Sequence, residues 1–170
     1  MERGFMDKTS KDIKALPPIE NRVSFLIHRV NAQLARLCNP FFARYKLDLF
    51  SSRILVALLE KREMRVGELV DLMALPQSTI SHQLRRLETQ GLIERNRRAD
   101  DNRSVTVNLS KDGERVASEC NALSAVIYDA LVDKIPATDL DVLERHLSGM
   151  YARLKQFDPA ALEYPDDSRS

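Results

Sequence analysis

Residues 66–113 read VGELVDLMALPQSTISHQLRRLETQGLIERNRRADDNRSVTVNLSKDG, and the change of hydrophobic period along this stretch decides the fold. Leu69, Leu72 and Met73 recur at helical spacing, Leu75-Pro76 interrupts them, and Ile80, Leu84 and Leu87 resume the pattern. That predicts two short helices, at about 67–74 and 77–90. Gly91 closes the second helix at the position where a left-handed residue is tolerated. The period then falls to two. Val105, Val107 and Leu109 alternate with Ser104, Thr106 and Asn108, and the run LIERNR lies before them across the polar loop RADDN. These two runs predict a β-hairpin.

The second helix has a polar face opposite its apolar stripe: Gln77, Ser78, Ser81, His82, Arg85 and Thr89. Short hydrogen-bonding and cationic side chains at this spacing suit the major groove of duplex DNA, which admits a helix and offers donors, acceptors and thymine methyls. A helix start also attracts phosphate. Gln77, Ser78, Thr79, Ser81, His82, Arg85 and Arg86 are therefore the candidate contacts on this helix. The hairpin strengthens that reading. Arg97 and Arg98 lie on its approach, and Arg103 falls at its tip beside Asp100 and Asp101. An arginine at a hairpin tip can enter a narrow minor groove, where negative potential is strongest. An aspartate beside it can hold the guanidinium extended. Helix, turn, helix and hairpin together make a winged helix-turn-helix head, in which Arg97, Arg98, Asp101 and Arg103 are the wing's candidate DNA contacts.

Working outward, Val23, Ile27, Val30, Leu34, Leu37 and Phe41 step by three or four along a long amphipathic helix starting near Ile19. Pro40 is expected to kink or end it. Asp48 is placed to cap a following helix that runs to Lys61. Beyond the hairpin, Ser110 can cap a helix carrying Val116, Cys120, Leu123, Ile127 and Leu131, which Pro136 ends. Thr138 is placed to cap a last helix whose Leu140, Leu143, Leu147, Met150, Leu154 and Phe157 form a heptad-type seam. The terminal seams are longer than the central unit needs to cover, and a second copy of the chain is the simplest way to bury them. The expected architecture is mostly α. It comprises a flexible arm at 1–18, a helical dimerisation region at 19–46 and 111–157, a winged helix-turn-helix region with a two-stranded wing at 47–110, and an acidic flexible tail at 158–170.

Composition sets limits around this. The 170 residues are 44% hydrophobic and 30% charged, enough for a real core, and the net charge of +1 by itself argues for no partner. The distribution is more telling: arginines cluster at 85–103 while the last residues are acidic. No apolar run approaches the roughly 20 residues of a membrane span, and the first residues lack a signal peptide's apolar stretch, so a cytoplasmic protein with no membrane partner is expected. No Gly-rich phosphate loop, nucleophile with a base, or paired carboxylate site stands out, so neither an enzyme nor a cofactor is expected. His28, His82 and His146 show no metal-ligand spacing.

At this point the chain resembles the multiple-antibiotic-resistance regulator (MarR) family. The resemblance runs through 20–157 and is strongest in STISHQLRRLETQGLIER and DNRSVTVNLSKDG. These are similar to the family's recognition helix, its Leu-x-x-x-Gly-Leu-Ile exit, and its Asp-x-Arg wing leading to Leu-Ser/Thr-x-x-Gly. Asp101 and Arg103 fall on the wing's aspartate and arginine, and Gly113 on the glycine opening the next helix. Pro40 departs from the family's continuous first helix. The resemblance implies a triangular homodimer with interlocked terminal helices, whose two heads read a pseudo-palindromic double-stranded operator. It further implies a repressor released by a small effector, such as an aromatic or phenolic acid or an aryl thioester.

Ser24, His28 and Asn31 form a polar line beside the first helix's seam, and with Arg53 they are the candidate effector-binding residues. Cys120 lies on a buried stripe, where a small inert side chain is expected. Cys38 has Arg36 and Arg44 near it in sequence and is the candidate for an alternative function, thiol-based redox sensing. Oxidant-sensing relatives place their cysteine nearer the start of this helix and assist it with tyrosines not evident here. A second alternative is a winged-helix protein-interaction module that binds no DNA.

Overall fold

The computed structural model describes residues 16–97 and 105–161. A single 3₁₀ turn, Ile19–Asn21, precedes α1 (Val23–Phe42), and another, Ala43–Tyr45, follows it. Then come α2 (Leu49–Lys61), β1 (Glu63–Arg65), α3 (Val66–Met73), α4 (Gln77–Thr89), β2 (Ile93–Arg97), β3 (Val105–Leu109), α5 (Lys111–Val132) and α6 (Ala137–Gln156). The mostly-α fold with a hairpin wing is thus present. The described residues divide into two compact units between Leu123 and Ser124, within α5.

The first unit holds the core. Ile54, Leu55 and Leu58 of α2, Leu69 of α3, Val107 of β3, and Val116 and Cys120 of α5 are buried, and so is the whole Ile80–Leu84–Leu87 stripe of α4. Leu72 does not join them: it is exposed on α3, because the adjacent turn of this short helix buries only Leu69. Ala74, in the left-handed region at φ 53°, turns the chain from α3 into Pro76 and α4.

Two strands were legible in the sequence and a third was not. The sheet is antiparallel in the order β1-β3-β2, with Met64 opposite Val107 and Arg97 opposite Val105. Only Met64 of β1 is buried, so the strand is too short to show alternation. Its pairing with β3 makes it a strand.

Local chemistry sets the element ends. The Asp48 carboxylate accepts from the Ser51 amide at 2.7 Å while the Ser51 hydroxyl accepts from the Asp48 amide at 2.9 Å, a reciprocal cap for α2. The Asn39 side chain accepts from the Leu49 amide at 2.8 Å, so α1 also caps α2. Pro40 does not end α1, which runs on to Phe42; its missing N–H leaves a bond unmade near the helix end, where the interruption is tolerated. Both Phe42 and Leu47 are buried, anchoring the corner between α1 and α2 in the core.

Gly91, at φ 70°, ends α4 as expected. The Ser110 hydroxyl accepts from the Gly113 amide at 3.0 Å and donates to the Gly91 carbonyl at 2.6 Å, so one side chain caps α5 and ties it to the exit of α4. This brings the first turn of α5 against the chain at Leu92. A β-carbon on Gly113 would collide with the Leu92 carbonyl oxygen and lie 2.9 Å from its carbon.

In the second unit α5 ends at Val132, ahead of Pro136, after which Lys134 turns left-handed at φ 65°. Pro136, rather than Thr138, occupies the cap position of α6; Thr138 lies inside the helix, since proline's fixed φ suits the residues at a helix start. No residue of α6 is buried, and Leu143, Leu147 and Leu154 of the seam are exposed. No helix among the described residues is long and apolar enough to cross a membrane.

Gly113→Ala is expected to destabilise the fold by about 3 kcal/mol or more, at the upper end for overpacking because the obstacle is backbone. Chemical denaturation of the two proteins measures it.

Candidate nucleic-acid interface

Burying Ile80, Leu84 and Leu87 dictates what α4 presents elsewhere. Successive residues sit about 100° apart round a helix, so Ser78, His82, Arg85 and Thr89 fall opposite the buried stripe. Ser78, His82, Arg85, Thr89 and Gln77 are exposed, and Thr79 and Ser81 are half-buried at the sides. The Thr89 hydroxyl donates to the Arg85 carbonyl at 2.9 Å. At the N-terminus of α4, Pro76 supplies no side-chain cap. The amides of the first turn therefore face outward with the positive end of the helix dipole, as an anion requires.

Arg86 stands apart from the other sequence candidates. It is half-buried, and its Nη2 donates to the Lys46 carbonyl at 2.6 Å. Desolvation pushes the Asp48 carboxyl up, but hydrogen bonds from Ser51 and the Arg86 charge outweigh it and leave Asp48 below its ordinary range. In the structure this guanidinium is turned to the corner between α1 and α2. Sequence spacing could not reveal this, because the acceptor is a backbone carbonyl forty residues away.

On the opposite flank Glu88 meets Arg95 of β2 at 3.8 Å. Within the hairpin, the Asn96 side chain donates to that of Asn108 at 2.8 Å, which in turn donates to Glu94 at 3.2 Å. Arg97 ends β2 at the base of the wing, but its side chain and the whole of Arg98, Asp100, Asp101 and Arg103 lie outside the described residues. So do the arm at 1–15 and the tail at 162–170.

The candidate effector residues Ser24, His28, Asn31 and Arg53 are all exposed. The structure brings two of them together, Arg53 donating to the Asn31 side-chain oxygen at 3.2 Å. His28 stacks on Phe25 with ring centroids 6.0 Å apart. Sequence reading missed a further polar tie: the Tyr45 hydroxyl donates to Glu119, which also accepts from Arg115 at 2.9 Å. That hydrogen bond pushes Tyr45 up and holds Glu119 down.

Both cysteines are buried. Desolvation raises the Cys38 thiol above its ordinary value, and the Arg53 charge only partly opposes it. A reactive thiolate needs the reverse. No group of His, Cys, Asp and Glu among the described residues could hold a metal ion.

These features define a winged helix-turn-helix protein. The family model for "Bacterial regulatory protein, arsR family" matches residues 52–95, which takes in the helix-turn-helix but neither the wing nor the terminal helices. Longer likenesses reach both. The organic hydroperoxide resistance transcriptional regulator of Bacillus subtilis (strain 168) is 28% identical over 138 residues, 81% of this chain and 92% of its own. The crystal structure of a mutant MarR from E. coli complexed with operator DNA is 23% identical, covering 75% of this chain and 91% of that one, with a TM-score of 0.64. S. aureus MepR in DNA-binding conformation is 17% identical, covering 78% and 98%, with a TM-score of 0.73. The chain shares the winged-helix fold of these proteins, the fold that its helix-turn-helix and hairpin spacing predicted.

Burial holds the Cys120 thiol at about 11 against an ordinary 9.0. Because the folded value is the higher one, the associated stability is complete below 9.0 and is lost as pH rises through about 11. Denaturation midpoints are expected to fall across this window, and to fall less in Cys120→Ala.

Proposed function

We propose that this protein is a transcription regulator that binds a pseudo-palindromic duplex as a homodimer and is released from it by a small-molecule effector. The observation that carries the reading is the solvent-facing side of α4, where Gln77, Ser78, His82 and Arg85 stand exposed opposite a fully buried stripe. A helix so anchored offers its polar face and uncapped start to a major groove and its flanking phosphates. Ser81 and Thr79 join at the edges of that face. Arg97, Arg98, Asp101 and Arg103 are proposed as the wing's contribution, with Arg103 in the minor groove and Asp101 orienting it. In support, the similar E. coli MarR mutant is complexed with operator DNA, and S. aureus MepR is also known as a DNA complex.

What lies uncovered supports the homodimer. Val23, Leu26, Ile27, Val30 and Leu37 of α1 are exposed, as are Val142, Leu143, Leu147, Tyr151 and Leu154 of α6. Apolar helix faces of this extent call for a partner surface, and a second copy supplies self-complementary ones. Regions 19–46 and 111–157 are proposed to make that interface. Two recognition helices about 34–36 Å apart then meet successive major grooves. An effector bound near Ser24, His28, Asn31 and Arg53 would act by favouring a different spacing.

The name of the B. subtilis relative concerns organic hydroperoxide resistance, which makes redox sensing the alternative worth weighing. Cys38, buried and with its thiol raised, is poorly suited to it. Native Cys38 is expected to resist alkylation near neutral pH and to react once the protein is denatured; rapid labelling of the native thiol would favour the redox reading.

Selection of bound duplexes from a random pool, with sedimentation to establish the oligomer, tests the main reading. Arg85→Ala is expected to cost about 1–3 kcal/mol on the selected site and to relax preference at its base pair. Arg98→Ala is expected to weaken all duplexes alike and to lower the salt slope by about one. A monomer, or affinity flat with salt, would refute the proposal. Intact duplex affinity in Arg103→Ala would argue for an interaction module.

A further inference from the structure

We infer that Arg86 is a positioning residue that sets the rotation of α4 about its own axis, by latching the helix to the carbonyl of Lys46; the inference rests on the regulator reading of α4. The helix has three distinct aspects. Ile80, Leu84 and Leu87 face the core, and Ser78, His82 and Arg85 face solvent. At about 100° per residue, Thr79, Gln83, Arg86 and Gln90 fall along one flank between them. All four are half-buried.

On that flank two side chains converge on one acceptor. Arg86 Nη2 donates to the Lys46 oxygen at 2.6 Å, and Gln90 Nε2 reaches the same oxygen at 3.4 Å. Lys46 is in the left-handed region, at φ 56° and ψ 33°, just after the 3₁₀ turn that ends the α1 passage. It lies between the buried side chains Phe42 and Leu47, and its carbonyl precedes the capped start of α2. The acceptor is thus built into a corner that core packing and the Asp48–Ser51 and Asn39–Leu49 hydrogen bonds immobilise.

An apolar stripe is slippery, because burial energy is non-directional. A short charge-assisted hydrogen bond is directional and stronger than a neutral one. With Glu88 meeting Arg95 at 3.8 Å on the other flank, α4 is held from both sides. Of the two, the Arg86 contact is the shorter and ends on fixed backbone. Freed from it, the helix could roll on its stripe and carry Ser78, His82 and Arg85 off their targets together.

The full-length variant Arg86→Met keeps the apolar stem and removes the donor. In the free protein, amide exchange at Lys46–Asp48 and in the last turns of α4 is expected to quicken about tenfold, the scale of one charged hydrogen bond, while β2 and β3 keep their protection. On DNA, the ratio of selected-site to scrambled-site affinity should fall about tenfold with the salt slope unchanged. Arg86→Lys, which keeps a donor and a charge, should recover part of both effects.

A salt slope lower by about one with equal loss on both duplexes would make Arg86 a phosphate anchor and overturn the inference. So would unchanged exchange in the free protein. If Arg86→Met does not fold, Gln90→Ala removes the weaker donor to the same carbonyl. It should quicken exchange at Lys46–Asp48 two- to threefold, about the scale of a weak hydrogen bond, and no change there would overturn the inference. Failure of the unaltered protein to bind any duplex would sink the regulator reading alone, since the exchange measurement decides the latch without DNA.

Discussion

Burial of the Ile80–Leu84–Leu87 stripe is the interaction on which the rest of the head depends. Each of these side chains is worth about 1.5–3 kcal/mol on removal from water, whereas an exposed ion pair contributes about 0–1 kcal/mol. The stripe therefore settles which side of α4 is inward. A helix with one face so committed must offer the opposite one to solvent. The turn through Ala74 and Pro76, the exit at Gly91 and the close approach of α5 at Leu92 all serve to deliver α4 to that seat and return the chain from it.

Apolar packing sets the coarse orientation and polar contacts refine it. The corner between α1 and α2 is a polar knot: Asn39 and Asp48 satisfy amides in the first turn of α2, and the Lys46 carbonyl receives Arg86 and Gln90. On the far side Tyr45 joins the same corner to Glu119 of α5. The end of α1, the start of α2, the flank of α4 and the first half of α5 thus meet through side chains that each contact a neighbouring element. The proposed effector response, to pass from α1 to α4, would have to travel through this corner.

The terminal helices obey a different balance. The head closes its own core, while α6 buries no residue and α1 buries only Cys38 and Phe42 at its end. Exposed Val, Ile and Leu along α1 and α6 keep much of their surface in water when the single chain folds. That deficit underlies the proposed homodimer. It also places Arg53 and Asn31 at the margin of an uncovered apolar surface, the setting in which a few polar groups orient a largely apolar ligand.

The amino-acid sequence by itself determined most elements and their faces: the stripe of α4, the Gly91 exit, the hairpin strands, the Asp48 cap and the winged-helix order of parts. Periodicity and capping are local, so they survive in the linear text. What only the tertiary structure decided were the partners of polar groups and the contacts of backbone. The pairing that makes β1 a strand, the collision that requires glycine at 113, the exposure of Leu72 and the turning of Arg86 from solvent to the Lys46 carbonyl all depend on atoms far apart in the chain. Helical spacing says which side of a helix an arginine occupies; the reach of its side chain to a distant carbonyl is settled only when the chain has folded around it.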